Sequence, residues 1–188
     1  MARVLIPLAH GVEETEAVTV IDILRRADIS VDTVGLDSGT VTASRGVVLQ
    51  PDRVIDDVSA VDYDLIALPG GGDGAKRLMA DQRVTALLQT HSEAGRWTGA
   101  ICAAPKVLAS AGLLEGRRVT SFPGWLDDVS GIEYLEEPVV LDGPVVTSRG
   151  PGTAMDFALQ LVELLTDRDT AAAVEAKLQR PPAQQRYR

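Results

Sequence analysis

One cysteine occurs in the chain, in Gly99-Ala100-Ile101-Cys102-Ala103-Ala104-Pro105. Before it, Arg96 to Ile101 has no helical period and suits a short buried strand. After it, Ala103 to Leu114 is rich in Ala, Leu and Lys, and Pro105 fits the first turn of a helix. Cys102 is thus expected at a strand-to-helix turn. Backbone amides and the macrodipole at a helix N-terminus favour negative charge, so the pattern predicts a thiol of depressed pKa with a nucleophilic thiolate. A lone cysteine can equally be a small buried hydrophobe. Glu16 is the candidate acid or base, in the first helical turn after the first strand. Crowded against a thiolate, a carboxyl is pushed up in pKa and can donate a hydrogen bond; its other role would be a solvated acid like Glu13 and Glu14. Gly70 and Gly71 permit a tight turn with exposed amides, which an oxyanion hole requires and which a plain strand-to-helix turn also uses.

The elements that must position these groups follow in order. Val4 to Leu8 reads as a buried strand, and Ala17, Val20, Ile21, Leu24 and Ala27 keep a helical period after Glu13-Glu14-Thr15-Glu16. Val31 to Leu36 is a second strand, and residues 41–43 and 47–49 flank a hairpin turn. Asp64 to Leu68 is a continuous apolar strand of the doubly covered type. Helical material runs from about Gln82 to Ala94. Arg118 to Phe122 is another strand, and Glu136 to Thr147 alternates about the Asp142-Gly143 turn signal. A helix carries Met155, Ala158, Leu159, Val162 and Leu165, and Asp167 caps a last one to about Leu178. Strands alternating with helices predict a doubly wound α/β sandwich, a mostly parallel sheet with helices on both faces. Ligands of such sheets bind beyond the carboxyl ends of the strands, the edge that would gather Cys102, Gly70-Gly71 and the loop before Glu16.

Composition bounds the function. With 188 residues and 45% hydrophobic content, one domain spanning residues 1–178 is expected, followed by a frayed basic tail, 179–188. The net charge is −9; without Lys177, Arg180, Arg186 and Arg188 the body has 14 basic and 27 acidic residues, −13. Such a body repels nucleic acid, and no basic stripe with interleaved aromatics is present. No apolar run approaches a membrane span. Met1-Ala2-Arg3 leads straight into a strand rather than a signal peptide, and one cysteine forms no internal disulfide, so a cytoplasmic protein is expected. Gly70-Gly71-Gly72-Asp73-Gly74-Ala75 loosely matches a dinucleotide fingerprint, but Glu93, at the right spacing for the ribose acid, ends a helix. His10 and His91 are isolated and one cysteine makes no zinc cluster. Neither a cofactor nor a metal is therefore expected.

Four segments, Gly11-Val12-Glu13-Glu14-Thr15-Glu16, Leu68-Pro69-Gly70-Gly71, Ala100-Ile101-Cys102-Ala103-Ala104-Pro105 and Thr147-Ser148-Arg149-Gly150-Pro151-Gly152-Thr153, together resemble the ThiJ/PfpI superfamily. Within it they are most similar to the branch of the parkinsonism-associated protein and bacterial YajL. The resemblance runs from Val4 to about Leu178. It implies a flavodoxin-like sandwich and a homodimer, with the first helix and the residue 41–49 hairpin at the shared interface and Val12 and Val20 as apolar contacts. It implies Cys102 as a nucleophile-elbow cysteine in a strained backbone, Glu16 as a protonated partner of its sulfur, and the amides of Gly71 and Ala103 as an oxyanion pocket. Gly70, Arg45, Ser148, Arg149 and Phe122 would lie at the pocket or the interface. Phe122 stands where animal members carry a histidine, and accessory cysteines align with Ala43 and Gln50. Ala103, where peptidase-like members have histidine, argues against proteolysis. The implied activities are a cofactor-free glyoxalase, converting methylglyoxal to lactate, and a deglycase acting on glycated protein. The alternative is an oxidative-stress sensor or holdase chaperone working through a Cys102 sulfinate.

Overall fold

Leu65-Ile66-Ala67-Leu68 is buried at every residue, as is Val4 to Leu8. Strands apolar on both faces need cover on both sides, and the chain supplies it with helices between successive strands. The computed structural model describes residues 1–180. Its elements are β1 Arg3–Leu8, α1 Glu14–Arg26, β2 Ser30–Gly35, β3 Val41–Thr42, β4 Val48–Leu49, β5 Arg53–Val54, β6 Leu65–Leu68, α2 Gly72–Ala80, α3 Gln82–Glu93, β7 Trp97–Ile101, α4 Pro105–Ser110, β8 Arg118–Val119, β9 Glu133–Tyr134, β10 Val139–Asp142, β11 Val145–Ser148, α5 Ala154–Leu165 and α6 Arg168–Lys177.

The central sheet has the order β10-β11-β7-β6-β1-β2-β5, parallel throughout except for the β10–β11 hairpin at one edge. Helix α5 packs against both α1 and α6, and α2, α3 and α4 pack with one another. These groups cover the sheet in a flavodoxin-like α/β arrangement. The carboxyl ends of β1, β6 and β7 lie side by side, so the segments after Leu8, Leu68 and Ile101 converge. No helix of the described residues is long and apolar enough to cross a membrane.

Several boundaries differ from the sequence reading. Residues Gly72–Ala80 form a helix where glycines suggest only a turn. The helix after Cys102 spans six residues and ends before Ala111-Gly112. The strand begun at Arg118 stops at Val119 and pairs with Glu133–Tyr134 outside the main sheet. Val12 and Val20, expected at an interface, are each 1% exposed and belong to the chain's own core. The exposed apolar side chains on that side are Val18, Val47 and Val48. Of the expected tail, residues 181–188 lie outside the described residues. Arg180 is not frayed: its guanidinium holds Asp156 at 2.7 Å and Glu175 at 3.1 Å.

Candidate active site

Cys102 has φ 64°, in the left-handed region that a residue with a Cβ rarely adopts. Two backbone bonds hold it there. Its N–H donates to Ser148 O at 3.0 Å, and its carbonyl accepts from Phe122 N at 2.9 Å. Strand β7 thus ends in a sharp turn fastened from two sides. The turn brings the Cys102 sulfur beside the backbone N–H groups of Gly71 and Ala103, whose dipoles favour its anion.

Glu16 is fully buried in the first turn of α1. The Glu13 side chain caps that helix by accepting from Glu16 N at 2.7 Å. Gly70 then ties α1 to the end of β6: its N–H donates to Glu16 Oε2 at 2.7 Å, and its carbonyl accepts from Glu13 N at 3.0 Å. A Cβ at Gly70 would lie 2.7 Å from Cys102 Cβ and 2.8 Å from Glu16 Oε2, so only glycine lets carboxyl and thiol adjoin. Gly71, with φ +88°, is equally constrained, because a Cβ there would come within 2.3 Å of Gly11 O. Glu16 Oε1 is buried with no hydrogen-bond partner.

Burial pushes the Glu16 carboxyl up to about 7, against the Gly70 amide and the Cys102 thiol, which pull it down. Burial, and then the negative charge of Glu16, push the Cys102 thiol up to about 12, against the lowering pull of the Gly71 and Ala103 amides. The depressed thiol pKa expected from the sequence is therefore corrected. Cys102 is only 9% exposed, α4 begins three residues further on and is short, and desolvation beside a carboxylate outweighs two amides. At neutral pH the thiol and carboxyl behave as one coupled acid. A proton held on Glu16 removes the carboxylate charge from beside the sulfur and so lowers the cost of forming a thiolate.

The other expected site residues are placed unevenly. Arg45 is exposed; its backbone N–H donates to Glu14 Oε1 at 2.8 Å, and Ser44 Oγ donates to Glu14 Oε2 at 2.8 Å. Glu14, 8% exposed, thus pins the β3–β4 hairpin to the start of α1, a role the sequence reading missed by treating it as solvated. Ser148 contributes its carbonyl only, since its hydroxyl is engaged by Pro138 O at 2.8 Å and Thr153 Oγ1 at 2.7 Å. Arg149 donates to Glu136 O at 3.0 Å. Phe122 binds the Cys102 carbonyl through its backbone while its side chain is 45% exposed. The Trp125 ring lies over Gly72, where a Cβ would meet it at 3.3 Å. His91 is buried away from Cys102, with its ring nitrogens 3.1 Å from Ala60 O and 2.9 Å from Trp97 O.

The sequence pattern of the DJ-1/PfpI family matches residues 2–164. The chain is 40% identical over 169 residues to "Protein DJ-1 homolog B" of Arabidopsis thaliana, covering 89% of this chain and 39% of that protein; it thus spans about two fifths of this relative's length. It is 33% identical to "Glutathione-independent glyoxalase DJ-1" of Schizosaccharomyces pombe, covering 96% of this chain and 100% of the relative. The crystal structure of Drosophila melanogaster DJ-1beta superposes with a TM-score of 0.91 at 38% identity, covering 96% of this chain and 99% of that one.

Proposed function

This chain belongs to the DJ-1/PfpI family, and on that premise we propose that it is a cofactor-free, cysteine-dependent glyoxalase acting on methylglyoxal and related α-oxoaldehydes. The observation that carries the reading is the buried Cys102–Glu16 pair, packed together across Gly70, with the Gly71 and Ala103 amides beside the sulfur. A carboxyl poised near 7 can serve as both base and acid at neutral pH. As base, Glu16 takes the thiol proton while the sulfur attacks the aldehyde carbon, forming a C–S bond and a hemithioacetal oxyanion. The Gly71 and Ala103 amides receive that oxyanion. Glu16 gives the thiol proton to the oxyanion and is a base again. It then removes the hydrogen of the former aldehyde carbon to form an enediolate and returns that proton to the neighbouring carbonyl-derived carbon. Meanwhile the hydroxyl proton passes from the first oxygen to the second, leaving a lactoyl thioester on Cys102. Water cleaves the C–S bond, releasing lactate and the thiol. The net reaction adds one water to methylglyoxal with no external oxidant or reductant. Deglycation of protein adducts would begin with the same attack on a carbonyl-derived carbon.

The unpartnered Glu16 Oε1 supports a second reading. A peroxide-derived Cys102 sulfinate would place its oxygens among the Gly71 and Ala103 amides and a protonated Glu16, the donors that stabilise such an anion, and would let the protein register oxidative stress. We also propose a homodimer: Val18 and Ile21 of α1 and Leu49 of β4 line one open groove, and Val47 and Val48 beside it are exposed.

Lactate formation from methylglyoxal, without added thiol, tests the enzyme reading. Many product molecules per Cys102 in the wild type and none above background in Cys102→Ser are expected. One equivalent or less in the wild type would leave the sensor reading; turnover surviving in Cys102→Ser would overturn the role of the sulfur.

A further inference from the structure

A second cavity of about 300 Å³ opens at the carboxyl ends of β1 and β2. That volume lies at the lower end of the range of about 300–1,000 Å³ for small-molecule sites. The cavity is separate from the Cys102 site: helix α2 has its N-terminus at Gly71-Gly72 and its last turn, Arg77 to Ala80, at this cavity, about 12 Å along the helix axis. Open α/β sheets bind ligands at this edge, and the proposed chemistry leaves this part of it unused.

Leu8, Leu36, Val41 and Ala80 give the cavity an apolar side, and the rest of its lining is polar or charged. Asp81 lies on the rim but is already held by Arg83, through contacts of 2.6 and 2.9 Å. Arg83 also holds Asp56 at 2.9 Å. Arg77 and Asp37, both lining the cavity, have no hydrogen-bond or ion-pair partner among the described residues. His10 accepts from Thr42 N through Nδ1 at 3.0 Å, which leaves its Nε2–H as a donor at the same rim. The cavity therefore offers one uncommitted cation, one uncommitted carboxylate, an imidazole N–H and the hydroxyl-bearing residues Ser38 and Thr40 around apolar side chains.

We propose that this cavity binds a zwitterionic α-amino acid with a compact apolar side chain. The ligand's carboxylate meets the Arg77 guanidinium, the group best shaped for it, assisted by His10 Nε2–H. Its ammonium meets Asp37, and its side chain rests on Leu8, Leu36 and Val41. A simple anion would face Asp37 and Asp81 on a protein of net charge −9, and a simple cation would face Arg77; a ligand with both charges satisfies both.

Titration calorimetry of the full chain with L-valine tests this, with valinamide, N-acetylvaline and inorganic phosphate as separate arms. L-valine binds, with a Kd of about 1 mM or tighter. Both capped analogues, Arg77→Gln and Asp37→Asn weaken binding by about tenfold or more, the loss expected for one charge-assisted hydrogen bond. Both substitutions are at exposed positions, and unchanged thermal unfolding verifies that the variants are folded. Cys102→Ser binds L-valine as the wild type does. No heat from L-valine at about 10 mM, phosphate binding as tightly as L-valine, or affinity indifferent to Arg77→Gln and Asp37→Asn each overturns the proposal. Loss of binding in Cys102→Ser would place the ligand in the catalytic pocket instead.

Discussion

Replacing Glu16 by Gln should make the protein more stable above neutral pH. Gln reproduces the protonated carboxyl: its amide oxygen can accept from Gly70 N, as Glu16 Oε2 does at 2.7 Å, and its NH₂ occupies the place of Oε1, buried without a partner. In the folded wild type, burial raises this carboxyl from 4.5 to about 7. Between those values the folded protein keeps a proton that the unfolded chain has released. Stability from this group is therefore full below about 4.5 and is lost as pH rises through about 7. At about 1.4 kcal/mol per pH unit, the rise corresponds to about 3 kcal/mol. Urea denaturation from pH 4.5 to 8.5, below the range in which the thiol ionises, measures it. The variant and wild type should coincide at the acid end and diverge by about 3 kcal/mol at the alkaline end, the variant being the more stable. A constant difference across the range, or a variant less stable at pH 8.5, would refute the buried, proton-holding Glu16. A gain in stability joined to a loss of turnover is the usual trade at an active site.

Other perturbations have equally definite outcomes. Gly70→Ala inserts a methyl between Cys102 Cβ and Glu16 Oε2; methylglyoxal turnover should fall by about 10²-fold, the cost of misplacing reacting groups by about 1 Å, in an assay of folded protein. Gly71→Ala, at positive φ and 2.3 Å from Gly11 O, should unfold at a clearly lower temperature by calorimetry, a loss of more than about 1 kcal/mol. Glu14→Ala leaves Ser44 Oγ and Arg45 N without their buried acceptor and should cost about 1–3 kcal/mol in denaturant. Light scattering should give twice the 20.0 kDa chain mass, and Val48→Asp should return the single-chain value.

The turn bearing Cys102 was legible because Gly99 to Pro105 combines a short apolar strand with a proline suited to a helix start, and the sheet because β1 and β6 are apolar on both faces. Glu16 was legible as a candidate by its place after β1, but its burial was not, since Glu13, Glu14 and Glu16 look alike in sequence and only tertiary packing separates the cap, the hairpin anchor and the thiol partner. Helix α2 was hidden by Gly70 to Gly74, whose glycines read as breakers, although Gly71 and Gly74 serve close approach to the Gly11–Glu13 segment and Gly70 to Cys102 and Glu16. Strands β5, β8 and β9 are two residues each, too short for periodicity to register. The thiol pKa was misjudged because a helix N-terminus is visible in sequence, whereas desolvation depends on what the fold packs over the sulfur.

The most direct test of the Cys102–Glu16 pair is steady-state lactate formation from methylglyoxal, without thiol cofactor, by wild type and Glu16→Gln side by side at neutral pH. The wild type should release many lactates per Cys102, and the folded variant should fall by at least about 10²-fold, the contribution of a positioned acid–base group. Equal turnover in the two proteins would contradict the account.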